Sequence, residues 1–317
     1  MKNLQIINVL GYGYTGSGAI IDLLKEIETC KVVEGEFDLI RGPYGLIDLK
    51  NNVINSSSTI RANHYIRKFI QYACVFKRKN IKGIQYGYNY GESFQIELEI
   101  FLSKIIDIKF KGTWHFHYIE HNFFTQLLSK VYEKIGIDKN IIYMTDLSND
   151  KFQEYVRTFL YDLLKSKDNK YSNIVLDQSI DVINPKQANY FFNNYKNIIV
   201  DRDPRDVYID ALRHKWIPTD DINLFCRWYE INREKEKVND SNNIYIKFED
   251  IVLDYDNTLN ELYDFLNVKN NEHLRKKHFF QPEKSAKNIG KWKNIKNMDK
   301  IKIIEKKLNS FLYIEKV

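Results

Sequence analysis

The feature that most constrains this 317-residue chain is a glycine-rich turn between an apolar strand pattern and an amphipathic helix pattern. Leu4–Leu10 is short, apolar and rich in β-branched residues, which predicts a buried strand. Apolar residues from 19 to 27 recur at helical spacing, and Ser17 is suited to cap that helix. Four glycines in the turn allow left-handed backbone angles and a close approach to a ligand: Gly11, Gly13, Gly16 and Gly18. Because backbone N–H groups at a helix start bind anions, the stretch predicts a phosphate-bearing ligand; the alternative is a turn that needs glycine only for packing.

The class of phosphate ligand stays open within this stretch. The ATPase P-loop pattern needs a Lys-Ser or Lys-Thr pair after its last glycine, and this chain has Ser17-Gly18 after Gly16. The turn does match G-x-G-x-x-G, and an acidic residue, Glu34 or Glu36, follows about 20 residues later, as in dinucleotide-binding folds. Taken alone, this part of the chain predicts an NAD(P)-binding oxidoreductase of the Rossmann type.

The charge of the chain limits the classes of binding partner, and its cysteine content limits the cellular compartment. The net charge is +6 with interspersed charges, which argues against nucleic acid and favours a small anionic ligand. Cys30, Cys74 and Cys226 are odd in number and far apart, so we expect a reducing compartment without disulfides. We find no signal peptide and no apolar run of membrane-spanning length. The protein is therefore expected in the cytoplasm, with the inner membrane surface as a second location and homodimer formation left open.

Strand and helix patterns alternate along the chain, without an internal repeat or a low-complexity linker. Strand patterns lie at residues 30–33, 172–177, 197–200 and 243–248, and helix patterns at 64–77, 94–108, 122–135, 150–164, 185–195, 204–214, 221–237, 257–266 and 297–309. This alternation predicts an α/β fold, a three-layer parallel sheet flanked by helices, in a single domain of residues 1–317. Ligands of such sheets bind at the carboxyl ends of the strands.

Three further segments resemble one known family, and they occur in the order of that family. Asn197–Asp210 has Arg-Asp-Pro-Arg-Asp-Val after a strand and resembles the 3′-phosphate-binding motif of sulfotransferases that use 3′-phosphoadenosine 5′-phosphosulfate (PAPS). Ile246–Val252, followed by Leu259–Leu266, resembles the K-[YF]-E-D-[LI] stretch of the family and its next helix. Ser285–Lys293 resembles the C-terminal loop that closes over the donor. The glycine-rich turn then falls where the family has its 5′-phosphosulfate loop.

The resemblance implies a P-loop-NTPase-like sulfotransferase fold and a bacterial, carbohydrate-type enzyme. Such an enzyme takes PAPS as co-substrate, releases 3′-phosphoadenosine 5′-phosphate (PAP), needs no metal and sulfates a saccharide or another small acceptor. Insertions at roughly residues 40–195 would recognise the acceptor. Arg202 and Asp210 would meet the 3′-phosphate, and an arginine can indeed grip a phosphate with two N–H donors. Further donor contacts are implied for Gly13, Tyr14, Thr15, Gly16, Ser17, Gly18, Lys287, Lys291 and Trp292.

Transfer to a hydroxyl also requires a general base that takes the acceptor proton. In the carbohydrate branch of the family this base is a glutamate just after the second strand, which Glu36 matches best and Glu34 second. His64 is the third candidate, because small-molecule members use a histidine further along. Three more histidines have a spacing too loose for known zinc sites and are expected in the wall of an acceptor cleft: His115, His117 and His121.

Two residues depart from the family pattern. Tyr14, also a candidate catalytic residue, stands where the family has lysine or arginine, and it brings a hydroxyl without a charge at neutral pH. Asp210 stands where the motif ends in serine, and a carboxylate repels a phosphate unless a cation intervenes. The candidates for that cation are Arg41, Arg205 and Lys287. We therefore expect a compensating cation, a shifted donor, a donor other than PAPS, or an inactive member of the family.

Overall fold

The chain divides into two compact units. One unit consists of Met1–Asp38 and Lys165–Val317, and the other of Leu39–Leu164. The structure, a computed structural model, describes residues 4–56, 58–77, 93–112, 114, 116, 140–165, 170–233, 240–295 and 298–315. His115, His117, His121 and the helix expected at 122–135 lie outside these described residues.

The predicted strands and helices that fall in the described residues are present in order, and the structure adds two strands that the sequence patterns did not predict, Ile108–Lys111 and Ile141–Met144. The strands are β1 (Gln5–Gly11), β2 (Cys30–Glu36), β3 (Ile108–Lys111), β4 (Ile141–Met144), β5 (Asn173–Asp177), β6 (Tyr195–Asp201) and β7 (Asn243–Lys247). The helices are α1 (Ser17–Leu24), α2 (Asp38–Arg41), α3 (Leu46–Leu49), α4 (Thr59–Ala73), α5 (Ser93–Ile105), α6 (Asn149–Leu164), α7 (Ala188–Phe191), α8 (Pro204–Ala211), α9 (Ile222–Ile231), α10 (Phe248–Leu253), α11 (Tyr255–Leu266), α12 (Pro282–Ser285) and α13 (Met298–Lys307). Shorter helical turns occupy Lys50–Ile54, Cys74–Lys77, Pro185–Gln187, Asn270–Glu272, Ala286–Asn288, Lys291–Asn294 and Asn309–Phe311.

Within the described residues, five strands form one parallel sheet in the first unit, in the order β2-β5-β1-β6-β7. β1 is the central strand and pairs Val9 with Asp177 of β5 on one side and with Ile198 of β6 on the other. Its apolar residues on both faces are buried. A strand that is covered on both faces has no polar side to alternate with, which explains the nearly continuous apolar run of β1.

Helical segments cover both faces of this sheet. On one face, Ile7, Val9 and Ile198 pack in a core with buried residues of α1, α10 and α11. Asn197 points to the opposite face, because side chains alternate along a strand, and its Nδ2 donates to the carbonyl of Pro185 at 3.1 Å. The predicted α/β fold, a parallel sheet flanked by helices, is therefore confirmed.

A row of polar side chains crosses the buried middle of the sheet. Asn8 donates to Asn197 at 2.8 Å, and Asn197 donates to Asn243 at 2.7 Å. The hydroxyl of Ser179 donates to Asn8 at 2.6 Å. Because these buried amides are partners of one another, the row escapes the cost of unpaired polar groups, and it pins the mutual register of β1, β6 and β7.

Two local predictions are wrong. The helix expected over 185–195 ends at Phe191, because Phe192 is extended (φ −130°, ψ 135°) and β6 begins at Tyr195. Ser17 does not cap α1. It is the first helical residue, and Gly16, with φ 87°, occupies the cap position without a side-chain bond.

The second unit contains α4, α5, α6 and the antiparallel pair β3–β4. α5 and α6 pack through aromatic rings, with Phe101 stacked on Phe159 at 4.8 Å between centroids. The N–H of Tyr143 on β4 donates to the Asn63 side chain of α4 at 2.9 Å. His64 is the next residue of α4 and lies half-buried in this unit. None of the helices in the described part of the chain is long and apolar enough to cross a membrane.

Candidate functional site

The order of the strands brings two distant loops together. Counting only the strands of the parallel sheet, the order is 2-3-1-4-5, so the chain builds one side of β1 before β6 begins the other side. Parallel sheets bind ligands at such a reversal, between the loops that leave the two central strands. Here these loops are residues 11–16 after β1 and Arg202–Asp203 after β6. The glycine-rich turn and the arginine motif thus share one edge of the sheet.

The same order argues against a dinucleotide site. In the dinucleotide-binding order 3-2-1-4-5-6, the strand that carries the ribose-binding acid lies directly beside the first strand. In this protein β5 separates β2 from β1. Glu34 and Glu36 on β2 therefore lie two strand spacings from the glycine-rich turn, about 10 Å across the sheet. That distance removes the structural basis of the NAD(P) alternative.

The turn itself is left-handed at three residues. Gly13 has φ 89°, Tyr14 φ 55° and Gly16 φ 87°. A Cβ atom on Gly16 would stand 2.4 Å from the ring of Phe248, and one on Gly13 would stand 2.4 Å from the indole of Trp216. Glycine is therefore required at both positions, for backbone conformation and for the close approach of an aromatic ring.

The backbone of the turn is arranged to receive an anion. Among the described residues, the N–H groups of Gly13, Tyr14, Thr15 and Gly16 have no protein acceptor. At the start of α1, the N–H of Ala19 donates to the carbonyl of Gly16 at 2.9 Å, whereas those of Ser17 and Gly18 have no protein acceptor among the residues described. Gln178 braces both ends of the turn, since its Oε1 accepts from Gly11 N–H at 3.3 Å and its Nε2 donates to the Ser17 hydroxyl at 3.3 Å. Free N–H groups in a fixed turn at a helix start are the usual components of a phosphate site.

The side chain of Arg202, which follows β6, is fixed by hydrogen bonds to three other residues of the protein. Its Nη1 donates to the carbonyl of Tyr14 at 3.0 Å and to Asp210 at 2.6 Å, and its Nη2 donates to the carbonyl of Asn288 at 2.5 Å. Lys291 binds the second oxygen of Asp210 at 2.7 Å. Burial works to raise the pKa of Asp210, but hydrogen bonds and charge from Lys291 and Arg202 outweigh it and lower the pKa. Asp210 is thus an ionised carboxylate between two cations.

Phe248 and its neighbours carry structural contacts. Lys247 donates to Asp201 at 3.0 Å. The ring of Phe248 faces the guanidinium of Arg202 at 5.2 Å and backs Gly16. Glu249 accepts from the N–H of Asp203 at 2.9 Å, and Asp250 accepts from the hydroxyl of Tyr313 at 3.0 Å. Phe248 and Glu249 therefore help to set the positions of both loops.

The C-terminal loop is tied to the start of α8. Asp206 accepts from the N–H groups of Gly290 at 2.7 Å and Trp292 at 3.3 Å. Arg205 lies over the ring of Trp292 at 4.1 Å and binds Asp203 and Glu305. Trp292 is thus packed on a protein cation. Asp203, rather than Asp206, caps α8.

These segments enclose a cavity of about 500 Å³. Its wall takes residues from all four motif segments, and the residues are Tyr14, Gly16, Gly18, Ala19, Asp22, Arg202, Asp210, Phe248, Phe279, Phe280, Gln281, Lys284, Ser285 and Asn288. Five of the sequence-predicted donor residues belong to this wall: Tyr14, Gly16, Gly18, Arg202 and Asp210. Lys291 reaches the wall through Asp210, whereas Lys287 is exposed and outside it. A cavity of this size suits a nucleotide-sized ligand.

The aromatic end of the cavity is anchored by a buried carboxylate. Glu26 accepts from the N–H groups of Phe279 at 2.7 Å and Phe280 at 2.8 Å, and from Lys277 N–H at 3.0 Å. Its Oε2 also meets His273 Nε2 at 2.7 Å. Four polar contacts thus fix the segment that supplies both phenylalanines to the wall.

Tyr14 is fixed by an exposed tryptophan. Its ring stacks on Trp216 at 5.3 Å between centroids, and its hydroxyl accepts from Trp216 Nε1 at 2.9 Å. The hydroxyl hydrogen of Tyr14 has no acceptor among the described residues, so it can donate to a ligand. Trp216 is 61% exposed. The indole therefore supports the left-handed conformation of Tyr14 at the mouth of the turn.

None of the three candidate bases is among the residues that line the cavity. Glu34 and Glu36 are exposed at the end of β2, where Gly35 has φ 77° and the pairing with β5 is irregular. His64 belongs to the second unit. Of the cations expected to compensate Asp210, Arg205 binds Asp203 and Glu305, and Arg41 belongs to the second unit. The cations that bind Asp210 are Arg202 and Lys291.

Several contributors escaped the sequence analysis. Lys284 lines the cavity one residue before the motif-like stretch Ser285–Lys293, and it has no carboxylate partner among the residues described. Trp216 follows α8 in an irregular segment that has no periodic signal. Gln178 braces the turn, a role that the sequence patterns do not indicate. The available signal was the position of Gln178 after a buried strand, which places it at the carboxyl edge of the sheet.

Comparisons with known proteins give distant structural similarity. No protein-family model matches the chain, and no curated protein matches it. The sulfotransferase domain of the olefin synthase from Synechococcus PCC 7002 is similar at 14% identity and a TM-score of 0.46, over 100% of this chain and 98% of that chain. The sulfotransferase STF9 from Mycobacterium avium is similar at 10% identity and a TM-score of 0.39, over 98% of this chain and 76% of that chain.

Proposed function

We propose that this protein transfers a sulfuryl group from a nucleotide donor to a hydroxyl group of an acceptor. The observation that carries the proposal is the cavity, whose wall takes residues from the glycine-rich turn, the arginine motif, the Phe248 segment and the C-terminal loop. These four segments were singled out by their resemblance to donor-binding motifs, and they are distant in the sequence. A chance resemblance gives no reason for them to meet around one cavity.

The donor end that reacts belongs at the glycine-rich turn. The acceptor oxygen attacks sulfur, the bond between sulfur and the bridging oxygen breaks, and the nucleotide leaves with its 5′-phosphate. The acceptor hydroxyl proton passes to a general base. The free N–H groups of Gly13–Gly16 can hold the leaving phosphate, and the hydroxyl of Tyr14 can donate to the oxygen on which charge develops.

The remaining assignments follow the resemblance. PAPS is the donor it implies, PAP the product, and the acceptor is a saccharide or another small molecule, such as a bacterial cell-surface glycan. Glu36 is the first candidate for the base, with Glu34 and His64 next. Glu36 is exposed at the carboxyl end of β2, the edge of the parallel sheet that also carries the glycine-rich turn. Residues 40–195 would provide acceptor recognition within one functional domain.

Sulfate transfer can be measured directly. The full chain is incubated with ³⁵S-labelled donor, PAPS or adenosine 5′-phosphosulfate in separate reactions, and a mixed bacterial glycan pool. We expect label in the glycan fraction, and a loss of roughly 10²–10⁴-fold with Glu36→Gln if Glu36 is the base. Glu261→Gln, an exposed glutamate on α11, is the matched control and should leave the rate unchanged.

Different results would contradict different parts of the proposal. Full activity in Glu36→Gln would move the base to Glu34 or His64, which the corresponding glutamine variants test. Binding of NADH together with no binding of either adenosine nucleotide would overturn the sulfotransferase assignment, and isothermal titration calorimetry measures both.

A further inference from the structure

The carboxylate of Asp210 lies between the two cations of the site, Arg202 and Lys291, where an anionic ligand group would otherwise bind. Arg202 and Lys291 contact its two oxygens at 2.6 Å and 2.7 Å. Arg202 also donates hydrogen bonds to the carbonyls of Tyr14 and Asn288, and its side chain is only 4% exposed. The cations that an incoming phosphate would need are therefore bound to a carboxylate of the protein itself.

The other charged residues of the cavity do not restore a second anion site beside Asp210. Asp22 on the wall is a further carboxylate, and it binds Lys25 at 2.7 Å. Arg205, three residues along the chain from Arg202, is paired with Asp203 and Glu305. Among the described residues, Lys284 is the wall cation without a carboxylate partner. This single lysine would have to balance the charge of a 3′-phosphate as well as that of the 5′ group.

A carboxylate in a cavity wall is suited to a different ligand group. Asp210 lines the cavity and its side chain is 26% exposed, so its remaining lone pairs face the ligand space. Ionised carboxylates accept hydrogen bonds from hydroxyl groups. Nucleotide-binding folds use this chemistry to choose a ribose hydroxyl, and they use arginine to choose a ribose phosphate. In this protein Arg202 is present, but it is already paired with the carboxylate of Asp210.

We propose, on the basis of the sulfotransferase function proposed above, that Asp210 determines donor specificity. The cavity takes an adenosine 5′-phosphate derivative with free ribose hydroxyls, such as adenosine 5′-phosphosulfate, and discriminates against the 3′-phosphorylated form. Asp210 accepts from a ribose hydroxyl, while Arg202 and Lys291 hold its carboxylate in place. The aspartate that departs from the family motif is thus the residue that changes the donor.

Isothermal titration calorimetry on the full chain tests this with two probes, adenosine 5′-monophosphate and adenosine 3′,5′-bisphosphate. We expect the native chain to bind the monophosphate at least 10-fold more tightly. Asp210→Ser frees Arg202 and Lys291, and should reverse the preference by at least 10-fold in the other direction. Glu261→Gln removes an equal charge at an exposed position of α11 outside the cavity wall, without touching either cation, and should leave the ratio of the two affinities unchanged.

Asp210→Asn keeps an oxygen acceptor for Arg202, so it serves if the serine variant fails to fold. It should reduce the native preference at least 5-fold. Tighter binding of the bisphosphate by the native chain, or an unchanged ratio in a folded Asp210 variant, would overturn the inference even if sulfate transfer is observed. The expected binding preference without transfer from either labelled donor would instead contradict the proposed function and leave the specificity of the cavity standing. Binding of neither nucleotide would overturn both.

Discussion

The buried carboxyl of Glu249 makes a measurable prediction about stability and pH. Glu249 is fully buried at the start of α10, and its Oε1 accepts the N–H of Asp203 at 2.9 Å. Its Oε2 is buried without a hydrogen-bond partner among the described residues. Burial raises the pKa of Glu249 from 4.5 to about 7, against the opposing effect of the backbone N–H groups. The neutral acid is therefore the form that the fold accommodates best.

The sign of the effect follows from proton binding. Between pH 4.5 and 7 the folded protein holds a proton on Glu249 that the unfolded chain has released. The stabilisation is complete below the unfolded pKa and is lost as the pH rises through the folded pKa. At ~1.36 kcal/mol per pKa unit, the shift corresponds to about 3 kcal/mol in total, most of which is lost between pH 5 and pH 8.

Glu249→Gln keeps the shape and the acceptor for Asp203 but cannot titrate. We expect the difference in free energy of unfolding between native and variant protein to change by about 2–3 kcal/mol from pH 5 to pH 8, in favour of the variant at high pH. Urea denaturation followed by tryptophan fluorescence at each pH gives these free energies. Glu261→Gln, an exposed glutamate on α11, is the control that should run parallel to the native protein. Parallel curves for Glu249→Gln and the native protein would refute the reasoning.

Two further predictions concern the glycine-rich turn. Gly16→Ala should cost about 2–5 kcal/mol of stability, from a left-handed alanine and a clash with the Phe248 ring, whereas Gly18→Ala, whose Cβ meets nothing within 4 Å, should be neutral or slightly stabilising. Equal urea midpoints for the two variants would contradict this. Trp216→Phe removes the hydrogen bond to Tyr14 and should speed amide hydrogen exchange in residues 13–16 with little loss of global stability. Unchanged exchange there would mean that the indole does not support the turn.

Much of the fold was predictable because its strands are simple in pattern. β1, β5 and β6 are apolar runs that end in turn residues. Because these strands are buried on both faces, their sequences are apolar throughout and are easily identified as strands. The helix predicted from residue 204 begins at that residue, Pro204. The helix at 185–195 was overestimated because nothing local shows that Phe192 must extend to enter β6.

The candidate site was predictable in its components and less so in its contacts. The four motif segments were visible in the sequence, and two of their residues show why the contacts were not. Serine is a residue type that often caps helices, but the hydroxyl of Ser17 accepts a hydrogen bond from Gln178, 161 positions away in the sequence. Asp210 was expected to repel a ligand, and only the folded chain shows Arg202 and Lys291 at its two oxygens. Local rules describe one residue and its neighbours, whereas these partners are decided by the sheet order.

The central position of β1 has a consequence for biosynthesis. β1 is made before its partner β5, and Gln5 and Asn173, which pair across these strands, are 168 positions apart. At ~5–20 residues per second, roughly 10–30 s of translation separate the two. During that interval an apolar strand has no neighbour on either side, and such edges recruit other chains. We expect nascent chains that stop before β5 to depend on chaperones, and release from that dependence to coincide with the synthesis of β5 and β6.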